Sequence, residues 1–94
     1  MDKETFKQNA KNTIDEIYDA IERIQEKATI VEGEAKDRFE QSLIELKAMK
    51  KDLQFKYDKL GNTSDEKWEE VKNAFSSASE SFKEGFKKIT SIIK

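Results

Sequence analysis

Carboxylates are the side chains in this sequence that could do chemistry, and two clusters of them stand out. The first cluster is Asp15, Glu16 and Asp19, and the second is Asp65, Glu66, Glu69 and Glu70. Paired carboxylates act as general acid and base where an apolar pocket separates their pKa values, and carboxylate oxygens bind hard divalent cations. Both clusters, however, fall on helical positions that we expect to face water. We therefore predict solvated helix faces and helix-end charges rather than a catalytic or metal site.

Two residue types that commonly complete such sites do not occur in the sequence. It has no histidine, the most frequent metal ligand, and no cysteine,. A thiol nucleophile, a disulfide, a thiolate metal site and the Glu-x-x-His pattern of di-iron bundles are therefore excluded. No glycine-rich phosphate loop or nucleophile motif is present. We expect no enzymatic activity, no catalytic residues, no metal and no cofactor.

The charge pattern limits the choice of partners. The 18 basic and 20 acidic residues are intermixed and give a net charge of −2, so we expect no nucleic-acid partner. Residues 1–5 lack the apolar core of a signal peptide, and no apolar run is long enough to cross a membrane. We therefore expect a cytoplasmic protein. The alternative, that a signal peptide was removed earlier, stays open.

Apolar residues recur at alternating steps of three and four along two segments of unequal length, which is typical of helices packed side by side. The first stripe runs from Phe6 to Leu60 and the second from Trp68 to Ile92. Between them, Gly61 fits a helix C-terminus, and Thr63 with Glu66 fits a capping box. The sequence thus predicts a single all-α coiled-coil domain over residues 1–94, with a long helix 3–60, a turn 61–63 and a short helix 64–93.

Gly33 is the position at which the long helix could break. A glycine costs about 1 kcal/mol in a helix relative to alanine, which a long helix tolerates. No Ser, Thr, Asp or Asn lies within two residues to cap a new helix,. The i,i+4 pairs Glu32–Lys36 and Glu34–Arg38 favour continuity. We predict one unbroken helix; the alternative is a turn at Gly33 and a monomeric three-helix bundle of nearly equal helices.

A short turn makes the two predicted helices antiparallel neighbours. Folding about residues 62–64 places Tyr57 opposite Val71 and Leu53 opposite Phe75. The predicted core of this hairpin consists of Phe39, Leu43, Leu46, Leu53, Tyr57, Leu60, Trp68, Val71, Phe75, Phe82 and Ile89.

The N-terminal half of the long stripe then has no partner in the same hairpin. Its apolar residues are Ile14, Ile17, Ile21, Ile24 and Val31. Five such side chains represent on the order of 10 kcal/mol of burial. We predict that they form an intermolecular interface in a homo-oligomer, most simply an antiparallel dimer whose ends are three-helix layers.

The segment from Lys27 to Phe86 resembles a group of small bacterial coiled-coil proteins. In that group a long helix rich in Lys, Glu and Ala is followed by a short turn and by a helix that begins with an Asp-x-x-Trp-Glu pattern. Here the pattern is Asp65-Glu66-Lys67-Trp68-Glu69-Glu70-Val71-Lys72, and Ala74-Phe75, Phe82 and Phe86 continue the similarity. The chain departs from the group in Gly33 and in its isoleucine-rich N-terminal half. Some members are described as stress-response proteins, so the resemblance implies a stress-related role in a bacterium.

We therefore expect a non-enzymatic helical protein that acts by self-association or by binding a partner through helical faces. The alternative is a membrane-surface or lipid-associated protein, because one face of the second helix is apolar and flanked by lysines. That face consists of Phe82, Phe86, Ile89, Ile92 and Ile93, with Lys83, Lys87, Lys88 and Lys94 beside it. Since the hairpin core uses the same face, we expect the membrane surface to be the less favoured partner.

Overall fold

The protein is a bundle of three helices, described over residues 2–93 by a computed structural model. Helix α1 spans Lys3–Glu26, α2 spans Glu34–Asn62 and α3 spans Trp68–Ile92, and short 3₁₀ turns at Lys27–Ile30 and Asp65–Lys67 precede α2 and α3. The Cα atoms extend over 50 × 17 × 17 Å. The all-α prediction is confirmed, and Lys94 lies outside the described residues.

The prediction of an unbroken helix over residues 3–60 is wrong. The chain leaves the helix at Lys27, becomes extended at Val31, and reverses at Gly33, whose φ of 68° and ψ of −147° fall in a region open almost only to glycine,. The new helix begins without a side-chain cap. The arrangement is therefore the alternative, a three-helix bundle with its turn at Gly33.

Burial of the isoleucine stripe explains the reversal. A straight helix in a single chain would leave five large aliphatic residues in water, each worth about 1.5–3 kcal/mol when buried. The exposed ion pairs expected to keep the helix straight contribute only about 0.2–0.5 kcal/mol each. The β-branched run Thr29-Ile30-Val31 also lowers the helix propensity of the linker,. Apolar burial therefore outweighs local helix continuity.

The second reversal differs in detail from the sequence prediction. Helix α2 continues through Gly61, which does not adopt positive φ, and no side-chain capping bond forms at Ser64. The rings of Tyr57 and Phe75 lie 6.5 Å apart, so α2 and α3 pair about a point near residue 66 rather than 64. Each α2 residue therefore faces an α3 residue about one helical turn farther along the chain than predicted. This shift arises because the chain uses Asp65–Lys67 for an additional 3₁₀ turn.

The three helices share one apolar core. Its fully buried members lie on the inner face of every helix and continue into the linker before α2. They are Ala10, Ile14, Ile17, Ile21, Ile24, Val31, Phe39, Leu46, Leu53, Leu60, Trp68, Phe75, Phe82 and Ile89.

Gly85 lets α3 lie especially close to α2. A Cβ atom added at Gly85 would lie 3.1 Å from Leu46 Cδ2 and 3.3 Å from Met49 Sδ. These distances are tighter than most real Cβ contacts, so a side chain there would require Leu46 and Met49 to shift by a few tenths of an ångström. Helices α1 and α3, in contrast, approach each other closely at few points.

Removing part of the isoleucine core tests this packing. We expect Ile21→Ala to lower the free energy of unfolding by about 2–5 kcal/mol, because Ile21 is only 2 % exposed and the truncation leaves a cavity,. The matched control is Ile44→Ala, at an α2 residue that is 62 % exposed, for which we expect a change within about 0.5 kcal/mol. Urea unfolding followed by circular dichroism measures both; equal effects would contradict the assignment of Ile21 to the core.

Candidate binding groove between the first and third helices

The residues predicted as an intermolecular interface lie in the core of the chain itself. Ile14, Ile17, Ile21, Ile24 and Val31 are each no more than 6 % exposed. The prediction that they have no partner within their own chain is wrong, because the turn at Gly33 brings α1 back onto the α2–α3 pair; the expected homo-oligomer stays a prediction. The burial that the sequence pattern required is therefore met within one chain.

The predicted hairpin core is found largely where it was expected. The fully buried members are Phe39, Leu46, Leu53, Leu60, Trp68, Phe75, Phe82 and Ile89. Leu43, Tyr57 and Val71 are half-buried and pack against this core from its edge. Of these residues, Phe82 also borders a surface groove described below.

The acidic clusters lie on exposed helix surface and engage lysines. Asp15 lies 3.6 Å from Lys11 Nζ, Glu69 lies 3.1 Å from Lys72 Nζ, and Asp65 pairs with Lys3. Within residues 2–93, no three acidic side chains converge in a way that could hold a metal ion. Asp15, Asp65 and Glu69 therefore pair with lysines at the surface of the bundle.

Aromatic contacts close the bundle at the end where α1 begins. The Phe6 ring lies edge-on to Trp68 at 5.8 Å and to Phe75 at 6.2 Å, measured between ring centroids. Lys3 Nζ lies 5.4 Å from the centre of the Trp68 ring, over its face. These contacts fix α1 against α3 at one end, and the seam between the two helices opens farther along.

That opening is a surface groove of about 310 Å³, which we name the α1–α3 groove. It is lined by Thr13, Glu16, Ile17 and Ala20 of α1 and by Ser79, Phe82, Lys83, Phe86 and Lys87 of α3. Its volume falls at the lower end of the range of small-molecule sites. A smaller depression of about 200 Å³ continues it toward Phe6 and shares Thr13, Ser79 and Lys83.

The groove has an apolar floor and small side chains on its walls. Ile17 and Phe82 are buried beneath it, and the half-buried Phe86 stacks on Phe82 with ring centroids 6.2 Å apart. Ala20 and Ser79 are too small to fill the space between the two helices. The gap thus results from small residues on a seam whose helices approach closely at few points.

Positive charge predominates at the rim of the groove. Lys83 and Lys87 are both exposed on the α3 side, and Glu16 lies on the α1 side. Lys83 is only loosely engaged by Glu80, at 3.8 Å. The rim therefore carries two cations and one anion above an apolar floor.

Six of the lining residues were singled out from the sequence in other roles, namely Glu16, Ile17, Phe82, Lys83, Phe86 and Lys87. Thr13, Ala20 and Ser79 were not among the candidate residues. Thr13 and Ala20 each precede a stripe isoleucine by one position and are seven residues apart, so they share one edge of the apolar face. Their small size next to large isoleucines was the available signal. This signal could be used only once the packing of α1 on α3 was known.

Comparison with protein-family models, with curated proteins and with solved structures finds no match for this chain. The groove geometry and the surrounding charges are consequently the basis for any functional assignment. In addition, no helix within residues 2–93 is long and apolar enough to cross a membrane.

The hydroxyl of Ser79 gives a test of the packing at this seam. Its Oγ atom is buried and has no hydrogen-bond partner among the described residues; a buried hydroxyl that no water reaches costs about 1–3 kcal/mol. We expect Ser79→Ala to raise the free energy of unfolding by about 1 kcal/mol more than Ser77→Ala, because Ser77 is exposed on the same helix and reports helix propensity alone. Equal effects in urea unfolding would show that the Ser79 hydroxyl is satisfied in solution.

Proposed function

We propose that this protein is a non-enzymatic binding protein whose α1–α3 groove accepts the acyl chain of an anionic amphiphile. The observation that carries the proposal is an apolar groove beside two exposed lysines in an otherwise charged surface. The proposal unites the partner-binding and lipid-associated alternatives raised by the sequence in a single site.

The lining of the groove favours an aliphatic chain. Ligand sites are typically concave and apolar, with a few polar groups that orient the ligand. Here Ile17, Ala20, Phe82 and Phe86 supply the apolar surface. The groove follows the seam between α1 and α3, which suits an extended chain better than a compact ring system.

The rim charges favour an anionic head group. Lys83 and Lys87 lie one helical turn apart on the same wall, so one carboxylate or phosphate could approach both ammonium groups,. Ammonium groups bind such anions as flexible point charges. A cationic head group could approach Glu16 and, in the adjoining depression, Glu80, but it would also meet the like charges of the two lysines.

A non-enzymatic role is supported by the positions of the ionisable groups. The carboxylate near the groove, Glu16, is exposed and lies beside no general base or second carboxylate of the groove lining. The sequence also supplies no histidine or cysteine. The stress-related bacterial role rests on the resemblance alone and stays a proposal.

Binding to a membrane surface by α3 alone is less well supported. Phe82 and Ile89 of the expected apolar face are buried at 4 % and 0 % exposure. The folded bundle would have to open before that face could enter a bilayer. Individual amphiphiles, in contrast, can reach the groove without unfolding the chain.

Titration with sodium dodecanoate below its critical micelle concentration tests the proposed function. We expect saturable chemical-shift changes of backbone amides around Ala20, Phe82 and Phe86 in ¹H–¹⁵N spectra. Dodecyltrimethylammonium should bind more weakly because its head group is cationic, and acetate should not bind because it has no chain. Equal shifts around the exposed Ile44 and Phe55 of α2 would instead indicate non-specific association.

Groove-filling and charge-reversal variants identify the site. We expect Ala20→Phe to weaken dodecanoate binding about tenfold or more by occupying the groove, while Ala48→Phe, at an exposed α2 alanine, should leave it unchanged. Lys87→Glu should weaken binding about two- to fivefold, the scale of an exposed ion pair, and Lys51→Glu should not. Undiminished binding to the Ala20→Phe variant would refute the groove assignment; co-sedimentation with anionic vesicles but no binding of dodecanoate would favour the membrane surface.

A further inference from the structure

The segment that joins α1 to α2 makes few contacts with the rest of the bundle. Of residues 27–33, only Val31 is fully buried, and Ile30 is 68 % exposed. Gly33 is the only residue with positive φ within residues 2–93. Within this segment, the backbone conformation of one glycine therefore sets the reversal.

The apolar heptad pattern nevertheless continues through this segment. Ile24, Ala28, Val31 and Ala35 follow one another at steps of four, three and four. A turn needs no such spacing. The same residues would form one continuous apolar stripe if the segment were helical, so the sequence remains compatible with a straight α1–α2 helix.

The register of α1 against α2 indicates which residues would meet if two copies packed as straight antiparallel helices. Tyr18 of α1 lies across from Lys50 and Gln54 of α2: its hydroxyl is 2.9 Å from Gln54 Oε1, and Lys50 Nζ lies 4.7 Å from its ring centroid. These antiparallel helices therefore pair about a point near residue 35, midway between 18 and 52. If two straight copies kept this register, Ala35 would meet the second copy's Ala35, and Val31 would meet the second copy's Phe39.

We propose that two copies of this chain exchange α1, forming a dimer in which each α1 packs on the α2–α3 pair of the other copy. Residues 27–33 become helical, and every α1 contact described above is re-formed between copies instead of within one. The proposal retains the antiparallel dimer expected from the sequence and derives it from the monomeric bundle by exchange of one helix. It does not depend on ligand binding in the groove.

The Gly33 end of the monomer would lie against this second copy. A surface depression of about 190 Å³ at this end is lined by Ile30, Val31, Glu32, Ala35, Ile92 and Ile93. In the exchanged dimer this end lies next to the twofold axis, where the two lobes meet. The dimer thus brings the exposed Ile30 and the half-buried Ala35, Ile92 and Ile93 of the two copies toward each other.

Substitution of Gly33 tests the exchange directly. Alanine strains the observed turn, which is almost restricted to glycine, and also favours the straight helix, so we expect Gly33→Ala to raise the dimer population about tenfold or more at equal concentration. Gly61→Ala is the matched control, because Gly61 lies in α2 with open space around it and no positive φ. Light scattering after size exclusion should give the monomer mass for Gly61→Ala and twice that mass for Gly33→Ala.

Mixed isotope labelling distinguishes exchange from simple surface association. Unlabelled and ¹⁵N-labelled chains are unfolded together and refolded at high concentration, and the dimer is treated with a carbodiimide that joins Lys3 to Asp65, which form an ion pair. Exchange predicts crosslinked peptides with one labelled and one unlabelled half. Asp65→Asn removes this crosslink and identifies the peptide.

The mass of the Gly33→Ala variant and the isotope composition of the crosslinks decide whether α1 is exchanged. A Gly33→Ala dimer with mixed crosslinks supports exchange; a folded Gly33→Ala monomer, or a dimer whose crosslinks are all of one isotope, overturns it. If Gly33→Ala does not fold, the wild-type chain refolded at high concentration decides by the same crosslinks: mixed crosslinks support exchange, and single-isotope crosslinks overturn it. Insertion of Gly-Gly-Ser after Glu32 in the Gly33→Ala chain should restore the monomer, because the insert again allows the chain to reverse.

Discussion

Packing of the isoleucine face of α1 against its own α2–α3 pair is the constraint on which the fold depends. Ile14, Ile17, Ile21 and Ile24 are buried almost completely by this contact, and their burial outweighs the helical continuity that the linker gives up. The bundle has no disulfide because the chain has no cysteine. Apolar burial around a single core is therefore what holds the three helices together.

The sequence predicted the helical stripes well because period and burial are local properties. The residues of the hairpin core and the approximate position of the second turn followed from spacing alone. The choice between a straight helix and a reversal at Gly33 did not, since both arrangements bury the same stripe. The two arrangements differ in whether the surface that covers this stripe belongs to the same chain or to a second copy. The spacing of apolar residues along the sequence does not distinguish them.

The candidate groove exists because the three pairs of neighbouring helices do not pack equally closely. Gly85 allows α3 to lie close to α2, while small residues such as Ala20 and Ser79 leave space between α1 and α3. This site could not be predicted from either helix alone, because its floor and walls come from residues about 65 positions apart in the sequence. The same packing explains why the lysines of α3 lie beside apolar surface even though most of its apolar face is buried.

Small-angle X-ray scattering, extrapolated to zero concentration, tests the central claim most directly. The three-helix bundle predicts the mass of one chain, 10.9 kDa, and a radius of gyration close to the 15.2 Å of its Cα atoms, with a longest Cα extent near 50 Å. An unbroken helix over residues 3–60 would by itself be about 87 Å long. A longest dimension near that length in dilute solution would contradict the reversal at Gly33 and the burial of α1 within its own chain.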